Sequence, residues 1–302
     1  MSHDDSLPIW ALRRLAWPLE AGLVWGLYGL ASILPVGFAS WMMAGLFRLV
    51  GPLTPWHGRA LFNIGLALPQ TTAVERQRIA RAAWANIGAL VGEYPHTARL
   101  HRHGRIEYRG LEHLQALEGS GGFLLGGHLA NWELFTMPAI AVGRRASVIY
   151  RPTNNPLVNR LFLGRLNRTA AIFPKGQAGA RGISAAVRRG ELAGMLVDQK
   201  LREGMMLPFF GHPASTAIAH ARMALRWQLP ILMVRVERRT GCRFVISLEP
   251  LDLCCHDGSD DAQVAALASR INSILEHWIR DRPEQWFWFH RRWPQSKGED
   301  AS

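Results

Sequence analysis

The sequence predicts an α/β fold: a mixed, largely parallel sheet flanked by helices and preceded by an N-terminal hydrophobic helical segment. Three observations predict it. Short, continuous apolar runs recur from residue 122 onward, stretches of helical spacing lie between most of them, and long charge-free apolar runs sit near the N-terminus. The runs at 122–126 (GFLLG), 146–150 (ASVIY), 170–173, 193–197 and 231–236 read as strands covered on both faces, and 244–248 adds a further strand. Helical stretches at 132–141, 156–166, 178–189 and 214–227 lie between most of these, and 263–279 closes the domain as a helix. Such alternation implies a parallel or mixed sheet.

Upstream, 72–93 reads as a helix. Ala80, Ala83, Trp84, Ile87, Leu90 and Val91 recur at helical spacing, and Thr72 with Glu75 makes a capping-box pattern. Residues 51–70, with Gly51, Pro52, Pro55 and Gly58, read as a break. Residues 94–110, rich in His and Arg, read as an exposed connection.

The domain organisation expected is a membrane-associating segment at 1–50 and one larger domain at 51–302. After Arg13 and Arg14, residues 21–36 carry no charge, and a second apolar run covers 38–47. Neither clearly reaches the ~20 residues of a transmembrane helix. Two readings stay open: a single anchor oriented by the basic pair, or a helical pair lying in the interface or packed on the domain. The region lacks a convincing cleavage site and runs past the usual length of a signal peptide.

The 302 residues are 48% hydrophobic and 19% charged, with a formal net charge of +12, which excludes a disordered chain and a polytopic membrane protein. A basic surplus favours an anionic partner. Nucleic acid is not expected, because zinc-finger spacing, a basic helix with heptads and an aromatic-basic single-strand signature are all missing. Cys242, Cys254 and Cys255 form neither a disulfide framework nor a metal-ligand spacing. His212, His220 and His290 likewise lack the spacing and carboxylates of a metal site.

The chemistry concentrates in GGHLANWE at 126–133. An apolar strand runs into two glycines, a His and then a helix start. On one continuous helix, side chains five residues apart point about 140° from each other. His128 and Glu133 meet only if His128 ends the strand and Glu133 lies in the first helical turn, which an Asn131 N-cap would arrange. Glu133 would then accept the imidazole N–H, fix the tautomer and let His128 act as a general base toward a substrate hydroxyl. The two glycines are expected to let a substrate approach the backbone. From spacing alone, two unremarkable polar residues fit the segment as well.

This segment resembles the His-plus-acid motif of the lysophospholipid acyltransferase superfamily. More specifically, the chain is similar to the lipid A biosynthesis lauroyl/myristoyl acyltransferases. The further segments that carry the resemblance are NIGLALP at 63–69, YRPTNNPLVNRLF at 150–162, VDQ at 197–199, LPFFG at 207–211 with the following 213–219, and PEQWFWFHRRW at 283–293. They cover most of the chain in order, and the last two-part signature, YRP…NP with PEQWFWFHRRW, is specific to this branch.

The resemblance implies an acyltransferase without cofactor, on the cytoplasmic face of the inner membrane, that takes acyl chains from acyl-carrier protein and esterifies hydroxyls of an anionic Kdo-bearing lipid A precursor. It implies His128 and Glu133 as the catalytic pair, with Arg151 and Asp198 at positions of motif residues. Other glycolipid or phospholipid acceptors, a hydrolase, and a non-enzymatic lipid-binding protein are the alternatives. Arg151 would grip a phosphate or steady an oxyanion at a strand end. Asp198 would contact substrate or support the site. Asn131 and Lys175 complete the expected substrate-binding set, with Lys175, Arg181, Arg188 and Arg189 as a basic group suited to an acidic carrier or anionic lipid. The block Trp286–Phe287–Trp288–Phe289 is read as core or membrane-facing wall, with lining of an acyl channel as the functional option.

Overall fold

A computed structural model describes residues 9–150, 152–166, 170–174, 176–201, 203–253 and 259–294. Two apolar helices come first, α1 (Ile9–Ile33) and α2 (Val36–Val50). They are followed by α3 (Pro55–Ala67), α4 (Ala73–Glu93) and α5 (Thr97–Arg102). The α/β part runs β1 (Ile106–Arg109), α6 (Leu111–Gln115), β2 (Gly122–Gly126), α7 (Met137–Ala141), β3 (Ala146–Tyr150), α8 (Pro156–Leu166), β4 (Ala170–Pro174), α9 (Gln177–Arg188) and β5 (Leu192–Leu196). A hairpin, β6 (Met205–Phe209) and β7 (His212–Thr216), precedes α10 (Ala219–Trp227), β8 (Ile231–Arg239), β9 (Arg243–Leu251) and α11 (Asp260–Asp281).

Among the described residues, seven strands form one sheet in the order β1-β9-β8-β2-β5-β3-β4. All pairings are parallel except β8 with β9, so the sheet is mixed and largely parallel as predicted. Helices cover both faces, and side-chain alternation divides the core between them. Phe123 and Leu125 of β2 join the core under α4, α10 and α11, while Leu124 points to the opposite core with Leu134, Phe135 and Phe244.

Several differences from the sequence expectation have local causes. The helix expected at 132–141 is a 3-10 turn, Trp132–Leu134, followed by the short α7. Pro138 has no N–H and its ring opposes the carbonyl four residues earlier, so a helix cannot run through from Trp132. Residues 51–70 are not a break: Pro55 occupies the first turn of α3, where its missing N–H costs nothing. The 94–110 connection contains β1, a four-residue edge strand whose pattern Ile-Glu-Tyr-Arg buries only its first residue. The expected helix at 214–227 begins at Ala219, because 214–216 belong to β7. The hairpin turns through Phe210 and Gly211, both at positive φ, as a two-residue turn of the type that follows strand twist requires. The capping box at Thr72 and Glu75 is present in both directions.

Helix α2 packs on α4 through a seam of small residues. A Cβ on Gly88 would lie 2.1 Å from the Met43 carbonyl oxygen, and one on Gly92 would lie 2.4 Å from that of Ala39. Glycines four apart let two helix backbones approach this closely. The opposite sides of α1 and α2 face outward. Among the described residues, twelve of the fifteen exposed large hydrophobic side chains lie between Leu19 and Trp56, including Leu23, Ile33, Trp41 and Leu49. The stretch Val36–Leu53 is long and apolar enough to cross a membrane by length and composition. Thus one face of α2 is fixed to the domain while its other face is apolar and uncovered.

One buried group makes stability pH-dependent. His220 is 1% exposed, and both ring nitrogens are buried without a hydrogen-bond partner. Burial pushes its imidazole down to about 4. The folded chain therefore holds a neutral ring where the unfolded chain, with an ordinary value near 6.5, binds a proton. Stability from this group is intact above that value and falls as pH drops toward 4. At pH 5 the loss is about 2 kcal/mol. The variant His220→Leu is expected to remove that share of acid sensitivity, seen as a smaller shift of the urea midpoint between pH 7.5 and pH 5. An unchanged shift would contradict it.

Candidate active site

The site is built at the carboxyl ends of two adjacent parallel strands. Strand β2 pairs with β5 in the register Gly126↔Leu196, and the Val197 N–H continues the ladder onto the Gly126 carbonyl at 2.9 Å. His128 and Asp198 each lie two residues past that last pair. Equal offsets on neighbouring strands bring the two side chains together, one strand spacing of about 4.8 Å apart at the backbone.

Their contact is direct. His128 Nδ1 lies 2.7 Å from Asp198 Oδ1. The other carboxylate oxygen, Oδ2, accepts the His128 backbone N–H at 2.8 Å and the Trp286 indole N–H at 2.7 Å. Asp198 is 1% exposed while the His128 side chain keeps 18%. Burial alone would raise the Asp198 carboxyl, but the facing imidazole and the hydrogen bonds from His128 and Trp286 outweigh it and hold the group down at about 2. An ionised carboxylate can only accept, so Nδ1 carries a proton, and in the neutral ring Nε2 presents the lone pair. The aromatic rings of Trp132 and Phe287 stand 5.3 Å and 6.2 Å from the imidazole, centre to centre, and restrict its rotation.

The sequence reading that Glu133 takes the imidazole N–H is therefore corrected: Asp198 holds Nδ1. The carboxylate five residues along in sequence is replaced by one 70 residues away because parallel pairing of β2 and β5 decides the neighbourhood. Glu133 is half-buried, and its backbone N–H is capped by Asn131 Oδ1 at 3.2 Å.

Asn131 caps the turn as expected, but it does not face a ligand. It is fully buried, and its amide donates to Glu93 Oε2 at 2.8 Å. Glu93, at the end of α4, is also fully buried and binds the Arg238 guanidinium and the Ser40 hydroxyl. Arg238 in turn donates to Asn86 Oδ1 at 2.9 Å, and the Asn86 amide reaches the carbonyls of Ala130 and Gln285 at 3.2 and 3.3 Å. This network holds a reversal at Ala130, whose φ of 50° is costly for a residue with a Cβ. Removing one partner of a buried pair such as Glu93–Arg238 typically costs about 3–5 kcal/mol.

The two glycines serve the protein's own packing rather than a substrate. A Cβ on Gly126 would meet the Val234 carbonyl at 2.6 Å, and one on Gly127 would lie 3.3 Å from Asp198 Oδ2. The PEQWFWFHRRW segment holds the same loop in place. Ala130 N–H donates to Gln285 O at 2.8 Å and Phe287 N–H to His128 O at 3.1 Å. Trp286, Trp288 and Phe289 are buried in the core, as the core reading of that block expects. His290, pushed down to about 4 by burial despite the attraction of Asp198, accepts the Lys200 N–H through Nε2 at 3.0 Å. Arg292 is fully buried, donates to Ser215 O and Thr216 Oγ1, and lies 4.6 Å over the Phe209 ring.

Arg151 and Lys175 lie outside the described residues, as do Cys254 and Cys255. The loop that follows Arg151 is tied to α1: Asn155 is buried and donates to Trp17 O and Glu20 Oε2 at 2.9 and 3.1 Å. In the basic group, Arg189 pairs with Glu191 and Arg188 stacks on Trp227. Sequence reasoning placed Asp198 at a strand end, as a substrate contact or a support for the site, without naming His128 as its partner. Its signal was available in two apolar runs, each followed by a polar residue at its end, but not the fact that the runs are neighbours.

The arrangement can perform base catalysis on a hydroxyl group, with an open Nε2, a fixed tautomer and a buried counter-charge. Comparison with known proteins agrees with an enzyme of this type. The chain is 23% identical over 293 residues to a lipid A biosynthesis acyltransferase of Haemophilus influenzae, covering 91% of this chain and 89% of that protein. It is 28% identical to the lipid A biosynthesis palmitoleoyltransferase and 26% identical to the lipid A biosynthesis lauroyltransferase of Escherichia coli K12, each over 247 residues and 76% of both chains. The model of the bacterial lipid A biosynthesis acyltransferases matches residues 13–295. With nearly the whole chain matched, the protein belongs to the bacterial lipid A biosynthesis acyltransferase family and is an acyltransferase.

Proposed function

We propose that this enzyme moves a fatty acyl group from an acyl-carrier protein thioester onto a hydroxyl of a Kdo-bearing lipid A precursor, in a ternary complex at the cytoplasmic face of the inner membrane. The observation that carries the chemistry is the His128–Asp198 contact with Nε2 left open. His128 Nε2 takes the proton of the acceptor hydroxyl. The oxygen attacks the thioester carbonyl, and backbone N–H groups or Arg151 steady the resulting oxyanion. The intermediate collapses, the C–S bond breaks, and the leaving sulfur recovers the proton from the imidazolium as a thiol. A thioester is already activated, so no step calls for a metal or cofactor. Asp198 keeps the tautomer and offsets the charge that His128 acquires. Glu133, half-buried and five residues past His128 in sequence, is retained in this reading as a second acid that positions the acceptor side of the site.

Membrane attachment is supported by the uncovered apolar faces of α1 and α2, and an acidic carrier by the +12 charge. The test is turnover by the purified full chain in detergent, with labelled acyl-carrier thioester and a Kdo-lipid A acceptor, read by mass spectrometry. An acceptor-dependent ester is the expected product. Free fatty acid formed equally with and without acceptor would replace transfer by hydrolysis.

A further inference from the structure

Away from His128, a cavity of about 610 Å³ opens where the α1–α2 hinge meets α5 and the ends of β1 and β9. Arg99, Arg105, Arg243, His96 and His103 line it, and among the described residues no acidic one does. Among the described residues none of the three arginines forms an ion pair. Arg105 donates to the Gly241 carbonyl at 2.9 Å, a neutral partner. Arg99 and Arg243 are exposed. Three guanidinium groups without a carboxylate partner around one concavity supply the donors and the charge that a phosphate calls for.

The topology puts this cavity at the same end of the sheet as His128. Arg243 begins β9 and pairs with Arg239 at the end of β8, and β8 runs parallel to β2. Strand β9 is two places from β2 in the sheet, about 10 Å at the usual strand spacing. The other wall is the hinge from Ser32 to Val36, which includes Ile33, 79% exposed. The hinge joins the two helices that carry the uncovered apolar side chains. His96 fastens it, with the Nε2–H donating to the Ala31 carbonyl at 2.8 Å.

We infer that this cavity binds the phosphate of an anionic bilayer phospholipid, whose acyl chains lie against the apolar faces of α1 and α2. A free phosphate would use the arginines but leave the adjoining apolar surface unused. A carrier protein would meet exposed Ile33, Trp41 and Leu49 beside its acidic face. A phospholipid satisfies both halves of the surface. The inference rests on the membrane reading above, and it adds a headgroup site separate from the acyl-transfer centre.

The experiment is vesicle flotation of the full chain with phosphatidylcholine alone and with phosphatidylcholine doped with phosphatidylglycerol. The protein is compared with the variant Arg99→Gln/Arg105→Gln/Arg243→Gln and with Trp41→Asp. A cation near an anionic surface contributes about five-fold in affinity, so the triple variant is expected to lose on the order of 100-fold on phosphatidylglycerol vesicles and nothing on phosphatidylcholine alone. An unchanged thermal midpoint shows that it is folded. Trp41→Asp is expected to weaken binding to both vesicles alike. If the triple variant binds phosphatidylglycerol vesicles like the parent, the headgroup site is wrong while membrane attachment stands. If the parent binds neither vesicle, the membrane reading itself fails. Two other results overturn the lipid assignment. One is a thermal shift by inorganic phosphate without vesicles that the triple variant abolishes, with flotation unchanged. The other is a raised KM for acyl-carrier thioester with flotation unchanged.

Discussion

Replacement of His128 by alanine is expected to abolish acyl transfer while leaving the fold intact. The imidazole is at the rim of the site, with 18% of its side chain exposed, and its Nδ1 is held by Asp198. Removing it deletes the proposed base for the hydroxyl proton, a contribution typically of 10²–10⁴-fold in kcat. KM for both substrates should move little, because the ring acts on the reacting proton rather than on the bulk of either substrate. Steady-state kinetics with the purified variant read both quantities. A kcat within about three-fold of the parent would remove His128 from the chemistry.

The second large effect is expected from Asp198→Asn. The side chain keeps its shape, and its oxygen can still accept from the Trp286 or His128 N–H groups. What changes is the face toward Nδ1. An amide presenting its NH2 there favours the tautomer with the proton on Nε2, which cannot take a proton from the acceptor. In hydrolytic triads a change of this kind costs on the order of 10⁴-fold in kcat, and a comparable loss is expected here. The carboxylate is held at about 2 in the folded chain, below the ordinary value of about 3.9. Its stabilising contribution is thus complete above that ordinary value and is lost only as pH falls through about 2. A loss of activity near neutral pH cannot arise from titration of Asp198. Glu133→Gln makes the useful contrast. It leaves Nδ1 bound, so it is expected to lower activity without the collapse seen for Asp198→Asn. A reversed order of the two variants would restore Glu133 as the partner of His128.

The pieces of this site were legible in the sequence, but their pairing was not. Residues 122–126 and 193–197 were both readable as buried strands, and His128 and Asp198 both stood at their ends. Local spacing then favoured Glu133, because a sequence displays neighbours along the chain and hides neighbours across a sheet. The register Gly126↔Leu196 is the missing fact. The same limit explains the glycines, whose demand comes from Val234 on β8 and from Asp198 just past the end of β5. It also explains Asn131, whose capping role was local and visible while its bond to Glu93 was remote.

Helices were read well where periodicity ran long and a cap was present, as in α4. They were misjudged where proline signalled a break but in fact opened a helix, as at Pro55. The β6–β7 hairpin escaped because Pro208 and Pro213 stand opposite one another in it, and proline inside a run argues against a strand. The uncovered faces of α1 and α2 were apparent as apolar runs, whereas the glycine seam that fixes α2 to α4 required the partner helix to be identified.

The unit formed by His128 and Asp198 is tested most directly by a double-mutant cycle on kcat, with His128→Ala, Asp198→Asn and the two combined. If Asp198 acts only through the imidazole, it has nothing left to orient once the ring is gone, and the combined variant should be no slower than His128→Ala alone. Losses that multiply would show that Asp198 acts independently of His128, and would contradict the account.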